Sequence, residues 1–294
     1  MLTRSGFVQQ KFLIFVLIFA LVCLYLSRKF FVTETHFDRI KKEGLIRVGI
    51  ANDVPFGYID SEGNLTGESP EIARKILREF EIHKLQAVLT EFDSLISDLN
   101  AGRFDLIAAG MFITPERSQK ILFSHPTYCM GQAFLVTKGN PKNLHSYEDI
   151  AKHSELTLAV MSGAVEEYYA RAVGISESQL LIVPDTPSGY VSVKTGKADA
   201  LALTSLSINN LVKQDNDHSL ESAQPFANPI INGKETKGCG GFGFRKDDAK
   251  FLEEFNQHLK SFIGTTEHLK MVKTYGFTEA NLPKDLTAEE LIKY

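Results

Sequence analysis

The chain lacks the residue patterns on which most metal sites and enzyme active sites are built. Its eight histidines are scattered with no His-x-x-x-His pair, and its three cysteines include no Cys-x-x-Cys. No zinc-type ligand spacing is therefore present, and neither a metal nor a cofactor is expected. A G-x-S-x-G nucleophile elbow is missing as well. Lone carboxylates are left as the only catalytic candidates, so the expected protein is not an enzyme. The net charge of −4 is not organised into a basic stripe, which argues against nucleic acid as a partner. Internal repeats and low-complexity tracts are also lacking. One glycine-rich run, "GCGGFG" at 238–243, fits G-x-G-x-x-G, but "FRKDD" follows where a dinucleotide fold needs a helix. That run reads better as a flexible crossover segment.

What the chain does have is the composition of a folded globular protein, with 44% hydrophobic and 23% charged residues among 294. The length suits one large domain or two lobes. Its N-terminus is different. "KFLIFVLIFALVCLYLS" at 11–27 is apolar after Lys11, and Arg4 and Lys11 give it a positive leading end. Residues 1–32 are read as a signal peptide or membrane anchor, and no A-x-A cleavage pattern closes the run, which favours a retained anchor. Cys23 lies in this run but "ALV" before it fits a lipoprotein signal poorly. Either way the bulk of the chain is expected outside the cytoplasm. There Cys129 and Cys239 are free to pair; the alternative is two ordinary buried thiols, and sequence alone does not place the two sulfurs.

From residue 44 the hydrophobic pattern alternates between strand and helix. "LIRVGIA" (45–51) reads as a buried strand. "SPEIARKILREF" (69–80) reads as a helix capped by Ser69, with Ile72, Ile76, Leu77 and Phe80 on one face. "LQAVLT" is a strand, "FDSLISDLNAG" a short helix and "FDLIAAG" (104–110) a strand. The rhythm resumes with strands at "AFLVT", "LTLAVM", "LLIV" (180–183) and "ADALAL", and with helices after "SG" at 162–163 and over "PSGYVSVKTG". Such alternation predicts two α/β lobes with parallel sheets and a ligand cleft between them. The expected division is 33–128 with 242–294 in lobe 1 and 132–237 in lobe 2, with crossovers near 129–131 and 238–241.

The densest binding constellation is "AAGMFITPERSQK" at 108–120. Arg117 offers a planar, permanently charged fork for a carboxylate. Gly110 permits close backbone approach, and Thr114 adds a hydroxyl. In the second lobe, Ser162-Gly163 precedes a helix whose first amides, near Ala164 and Val165, are placed to meet an anion. A structural role for Arg117, paired with a nearby acid at a helix start, stays open on these residues alone.

The stretch from "LIRVGIANDVPFGYID" through "GESPEIARKIL" to "AAGMFITPERSQKILFSHPTY" resembles the solute-binding proteins of ABC importers for polar amino acids, over about residues 44–278. The resemblance implies a two-lobed periplasmic-binding-protein fold of type II and delivery of a small ligand to an ABC permease by a monomer. It implies that Arg117 and the amides of Ala164 and Val165 take the ligand carboxylate, flanked by Phe56 and Phe92. Amino-acid binders usually place an Asp after the last second-lobe strand to hold the α-ammonium; "ALTSLSI" has Thr204 there. Among the subfamilies, the ectoine and hydroxyectoine binders are similar in "ANDVPFGY", "GESPEIA", "AAGMFITPER", "PTYCMG", "SGAVEE", "PDTPSG" and "ALTSLSI". Ectoine carries a carboxylate and a flat, delocalised amidinium, which suits aromatic faces at about 0.5–2 kcal/mol per contact. By that resemblance Phe56, Phe92 and Phe112 form the box and Asp53 accepts from the amidinium. Asp53 and Phe92 stand where relatives use Glu and Tyr. Asp185 in "PDTPSG" lies at the lobe edge, as a ligand contact or a helix cap. Two rival readings are a polar or cyclic amino-acid binder on the same fold, and a dehydratase-like enzyme or sensory receptor module.

Overall fold

The computed structural model describes residues 34–293 together with Ile14, Leu17 and Ile18; the remainder of the expected anchor lies outside the described residues. Among the described residues no helix is long and apolar enough to cross a membrane. The chain divides into two compact units, residues 1–42 and 43–294. In the first, Thr35 and Asp38 cap one helix start reciprocally, the Thr35 hydroxyl donating to Asp38 Oδ2 at 2.7 Å and accepting from the Asp38 N–H at 3.1 Å.

The second unit holds two five-stranded sheets, one per lobe. In the first sheet the strand Leu45–Ile50 lies between Lys84–Leu89 and Leu106–Ile107, parallel to both. Gly243–Phe244 then adds on antiparallel, between Leu106–Ile107 and Leu122–Phe123. The second sheet runs Leu180–Val183, Leu158–Met161, Ala200–Thr204, Gln132–Thr137, Leu220–Ser222. Gln132–Thr137 is antiparallel to Ala200–Thr204. Both sheets are thus mixed, which corrects the expectation of parallel ones. The antiparallel members are the strands next to the chain's passages between lobes, where it enters one sheet and returns to the other without a crossover helix.

Local chemistry explains most element ends. The helix Glu68–Arg78 buries Ile72, Ile76 and Leu77 as expected. Its cap is Gly67, not Ser69; Ser69 is buried one position inside the helix, where its hydroxyl donates to Glu68 Oε2 at 2.6 Å and accepts from the Gly110 N–H. The strand expected over 104–110 is ladder-paired only at Leu106–Ile107. Beyond it Gly110 turns the chain at φ +63°, and Phe112 bridges to Gly240. The tail helix Ala249–Phe262 buries Phe251, Phe255, Leu259 and Phe262 along one stripe and packs on Glu68–Arg78 and Leu122–Phe123 of the first lobe.

Between the lobes, Tyr128–Met130 and Gly238–Gly240 pair antiparallel, with Cys239 opposite Cys129. The two cysteines form a disulfide. The glycine-rich run is therefore ordered, with Gly238–Gly240 in the strand pair between the lobes and Gly243 opening a strand of the first sheet, and is not a loose crossover. A Cβ on Gly238 would lie 1.6 Å from the Phe112 ring, and one on Gly240 would lie 2.4 Å from the Tyr128 ring. Aromatic side chains pack flat against this backbone, and only glycine leaves them room.

Candidate ligand-binding site

A narrow pocket of about 30 Å³ lies between the lobes. Its first-lobe wall is made by Asp53, Phe56, Phe92, Gly110, Phe112 and Arg117. Met161, Ala164, Val165, Glu166, Leu203, Thr204 and Ser207 line it from the second. Of the eleven residues singled out from sequence, nine meet here. Thr114 and Asp185 do not line this pocket. Thr114 caps the helix Pro115–Lys120, its hydroxyl accepting from the Arg117 N–H at 3.2 Å. Asp185 caps Thr186–Lys194, accepting from the Ser188 N–H at 2.7 Å.

Arg117 is held from three directions. Nη1 donates to Phe112 O at 2.7 Å, and Nη2 donates across the cleft to Gly163 O at 2.9 Å. The guanidinium carbon lies 5.4 Å from the Phe92 ring centre. Burial lowers its pKa, opposed by the carboxylate of Glu166, yet it stays charged at any accessible pH. Two of its five N–H donors are spent on backbone carbonyls, and these fix the plane of the fork.

The rings have different degrees of structural duty. Phe56 is stacked on Tyr128 at 5.0 Å between centres and meets Phe277 edge-on at 5.9 Å. A side chain on Gly110 would strike the Phe56 ring at 2.4 Å, so the glycine is needed both for its positive φ and for this contact. Phe112 covers Gly238 and tilts against Tyr128 at 6.0 Å. Phe92 opens a single 3-10 turn, Phe92–Ser94, and is the most exposed of the three at 8%.

Asp53 sits in the turn after the first strand, its N–H donating to Gly57 O at 3.1 Å. It accepts from Thr186 Oγ1 at 3.2 Å and from Ser207 Oγ at 3.5 Å, both on the second lobe. Burial pushes its carboxyl up to about 7, partly offset by these two hydroxyls. Thr204 caps the helix Ser205–Gln214 and donates to Ser207 Oγ at 3.1 Å. A relay of hydroxyls thus runs Thr204 to Ser207 to Asp53. The position where an acid was expected in amino-acid binders holds the neutral start of this relay, and the acid lies on the opposite lobe.

Glu166, Ser207 and Thr186 were not picked out from sequence. Glu166 is 4% exposed. Turning the Gln132 amide over, so that its nitrogen faces the Leu203 and Glu166 oxygens, lets it donate to both. Burial pushes Glu166 up to about 7, with Arg117 pulling down and Asp53 pushing up. The pair "EE" in "SGAVEE" was the only available signal, and it does not say which glutamate turns inward. Ser207 lies three residues after Thr204, where a capped helix turns its side chain back toward the cap.

These features together define a two-lobed binding protein with a closed, charge-lined cleft. Bacterial extracellular solute-binding proteins, family 3, match over residues 46–279, and the chain belongs to that family. It is 35% identical to a probable amino-acid ABC transporter periplasmic-binding protein of Sinorhizobium fredii, over 92% of this chain and 90% of that one. Among solved structures, EhuB in complex with hydroxyectoine is 33% identical with a TM-score of 0.80, covering 88% of this chain and 98% of the other. An ancestral amino-acid-binding protein, a precursor of cyclohexadienyl dehydratase, is 28% identical with a TM-score of 0.71, over 82% and 99%.

Proposed function

We propose that this solute-binding protein delivers ectoine or hydroxyectoine to an ABC permease for uptake as an osmoprotectant. The observation that carries the reading is the placement of charge. The free α-ammonium of an amino acid has no acid at position 204; the pocket instead offers Asp53 beside Phe56, Phe92 and Phe112. An α-ammonium held at position 204 would meet the Thr204 hydroxyl where a carboxylate would hold it more strongly. A flat amidinium matches the rings by their faces and Asp53 by its N–H groups. In this assignment Arg117 and the amide of Val165 take the carboxylate, since the Ala164 N–H already donates to Met161 O at 3.1 Å, with Thr114 and Asp185 at the edges of the site. The likeness to EhuB supports the same choice.

The lobes would divide at 129–131 and 238–241, with the protein acting as a monomer outside the cytoplasm, held by its N-terminal segment. No turnover of the ligand is expected. The test is a thermal-shift panel on the purified full-length protein with ectoine, hydroxyectoine, glutamine, histidine and arginine. Ectoine or hydroxyectoine should raise Tm most. A larger rise with an ordinary amino acid would move the assignment to a polar amino-acid binder, and release of a dehydrated product would move it to an enzyme.

A further inference from the structure

Behind the wall made by Phe56 and Gly110 lies a carboxyl that takes no part in lining the pocket. Glu68 is 0% exposed and opens the helix Glu68–Arg78. Its partners among the described residues are two hydroxyls, those of Ser69 and Thr127, and neither is a cation. Its Oε1 has no hydrogen-bond partner among the described residues. A carboxylate can only accept, and one buried without a cation or a full set of donors is costly. A neutral carboxyl also donates, and a hydroxyl can accept. Protonated Glu68 accepts from Ser69 and has the Thr127 hydroxyl to donate to.

These two partners lead in different directions. Ser69 Oγ donates to Glu68 Oε2 at 2.6 Å and accepts from the Gly110 N–H at 3.3 Å. The Gly110 carbonyl accepts from the Tyr128 hydroxyl at 2.6 Å. Thr127 precedes the strand Tyr128–Met130, and its N–H donates to Gly240 O at 2.8 Å, on the other strand of the pair between the lobes. The helix start also holds the backbone at the first ring. The Glu68 N–H donates to Pro55 O at 3.0 Å, and the Ser69 N–H to Phe56 O at 2.9 Å. One carboxyl therefore stands between two pocket residues and the strand that leads into the second lobe.

We propose that Glu68 is a positioning residue of the ligand site, a protonated carboxyl that ties the Gly110 turn, through Ser69, to Thr127 at the entry to the strands between the lobes. The tie holds Gly110 and the Phe56 ring in the geometry that receives the ligand, so it contributes to affinity by preorganisation and not by contact. It acts on the wall, whichever zwitterion the pocket takes.

Loss of the proton undoes the tie. Burial pushes Glu68 up to about 7, opposed by the Ser69 and Thr127 hydroxyls. The protonated form is complete below that pH and is lost as pH rises through 7. Tyr128 feels the Glu68 charge but is itself pushed well up and stays neutral. From the helix Thr266–Lys273, His268 is lowered to about 4 and Glu267 pairs with Lys75 at 2.9 Å. From Ala249–Phe262, His258 meets Phe80 edge-on, beyond the other end of the helix. On the helix itself Glu71 pairs with Arg74 at 2.7 Å. Asp53 and Glu166, also near 7, are present in parent and variant alike and cancel in a ratio of their affinities.

The experiment is calorimetry with ectoine on the full-length parent, Glu68→Gln, Glu68→Ala, Ser69→Ala and the double variant Glu68→Ala/Ser69→Ala. Glutamine copies the protonated acid, with one acceptor and one donating group. At pH 6, Glu68→Gln should bind within about 2-fold of the parent, while Glu68→Ala and Ser69→Ala each lose about 5-fold or more, and the double variant loses no more than either, because both cut one tie. Between pH 6 and 8 the parent should weaken relative to Glu68→Gln by about 3-fold or more, since only the parent can ionise. A Glu68→Ala variant that folds and binds like the parent overturns the proposal. So does a Glu68→Gln variant that loses as much as Glu68→Ala with a ratio flat in pH. Infrared spectra of the ligand-free parent and Glu68→Gln at pH 6 give a check that needs no binding: the parent should show a protonated-carboxyl band that the variant lacks, and identical spectra contradict a protonated Glu68. If the parent takes glutamine and not ectoine, the ectoine assignment fails, while the same pattern of losses measured with glutamine still supports the tie.

Discussion

Arg117 and the three phenylalanines carry different mixtures of binding and structure. Arg117 is buried and bonded to Phe112 O and Gly163 O, so Arg117→Ala removes a link across the cleft together with the proposed partner of the ligand carboxylate. The expected loss is about 2–5 kcal/mol of binding, read by calorimetry, since a charge left buried without its partner is what truncation costs. Arg117→Lys should regain only part, because an ammonium keeps the charge and loses the fork. Parent-like binding by Arg117→Ala would leave the arginine a purely structural role. For the rings, each Phe→Leu change keeps bulk and removes the quadrupole, at about 0.5–2 kcal/mol of affinity. Phe56 and Phe112 are also wedged against Tyr128, Gly110 and Gly238, so their variants should lower Tm as well. Phe92, the more exposed ring, should lose affinity with little change in Tm. A Phe92→Leu variant that melts early and binds normally would contradict its place in the box. At this scale the sequence revealed residues whose type is diagnostic, such as the arginine of "TPER" and the glycine before "MF". It hid Glu166 and Ser207, whose types are common and whose direction depends on where a helix starts.

Among the elements, the pair of strands joining the lobes has the most to lose. Tyr128–Met130 and Gly238–Gly240 are held by hydrogen bonds and by the Cys129–Cys239 disulfide, at a sequence separation of 110. Closing so long a loop restricts the unfolded chain, and the chain-entropy model assigns it roughly 2–5 kcal/mol. Cys129→Ser/Cys239→Ser should therefore lower the free energy of unfolding by about that amount in denaturant titrations, with ligand affinity nearly kept. Equal stability of the variant and the parent would mean that the denatured state is already compact there. The strands and helices themselves were legible because apolar periodicity specifies them. Their mixed directions were not, because alternation of element types carries no sign for strands beside a passage between lobes. The end of the strand after Ile107 was also hidden, since Ala108 and Ala109 are as buried as strand residues while Gly110 has already turned the chain away.

For the molecule as a whole, three sets of contacts draw the lobes together. Asp53 accepts from Thr186 and Ser207, Arg117 donates to Gly163, and Ser162 Oγ donates to Asp93 Oδ2 at 2.8 Å on the rim. Gly163 permits that last approach, since a Cβ there would lie 2.8 Å from the Asp93 Cβ. The rim bond is outside the pocket lining, so Ser162→Ala should act on closure alone. A net hydrogen bond is worth about 0.5–1.5 kcal/mol, and affinity should fall about 2- to 10-fold while small-angle scattering shows a more open ligand-free protein. Unchanged scattering and affinity would remove the rim from the closing balance. None of these contacts was visible in sequence, which describes each lobe's face without the other.

Stability should also follow pH through the buried acids. Asp53, Glu68 and Glu166 are each pushed up to about 7 by burial. A carboxylate raised in the folded state is more protonated there than in the unfolded chain, so its stabilisation is complete below about 4 and is lost as pH rises through 7. His268, lowered to about 4, acts in the opposite sense between 4 and its unfolded value near 6.5. From pH 6.5 to 8 the acids act alone, and the ligand-free protein should become less stable to denaturant over that interval. A rise over the same interval would contradict the burial assigned to these groups.

The central claim is that the cleft takes a carboxylate with a delocalised cation in preference to a free α-amino acid. The most direct measurement is calorimetric titration of the full-length protein with ectoine and with glutamine at one pH and salt concentration. Ectoine should bind at least 10-fold more tightly. Glutamine binding as tightly or more tightly would show that Thr204 and Ser207 can hold an α-ammonium after all, and the account of the pocket's charge would be wrong.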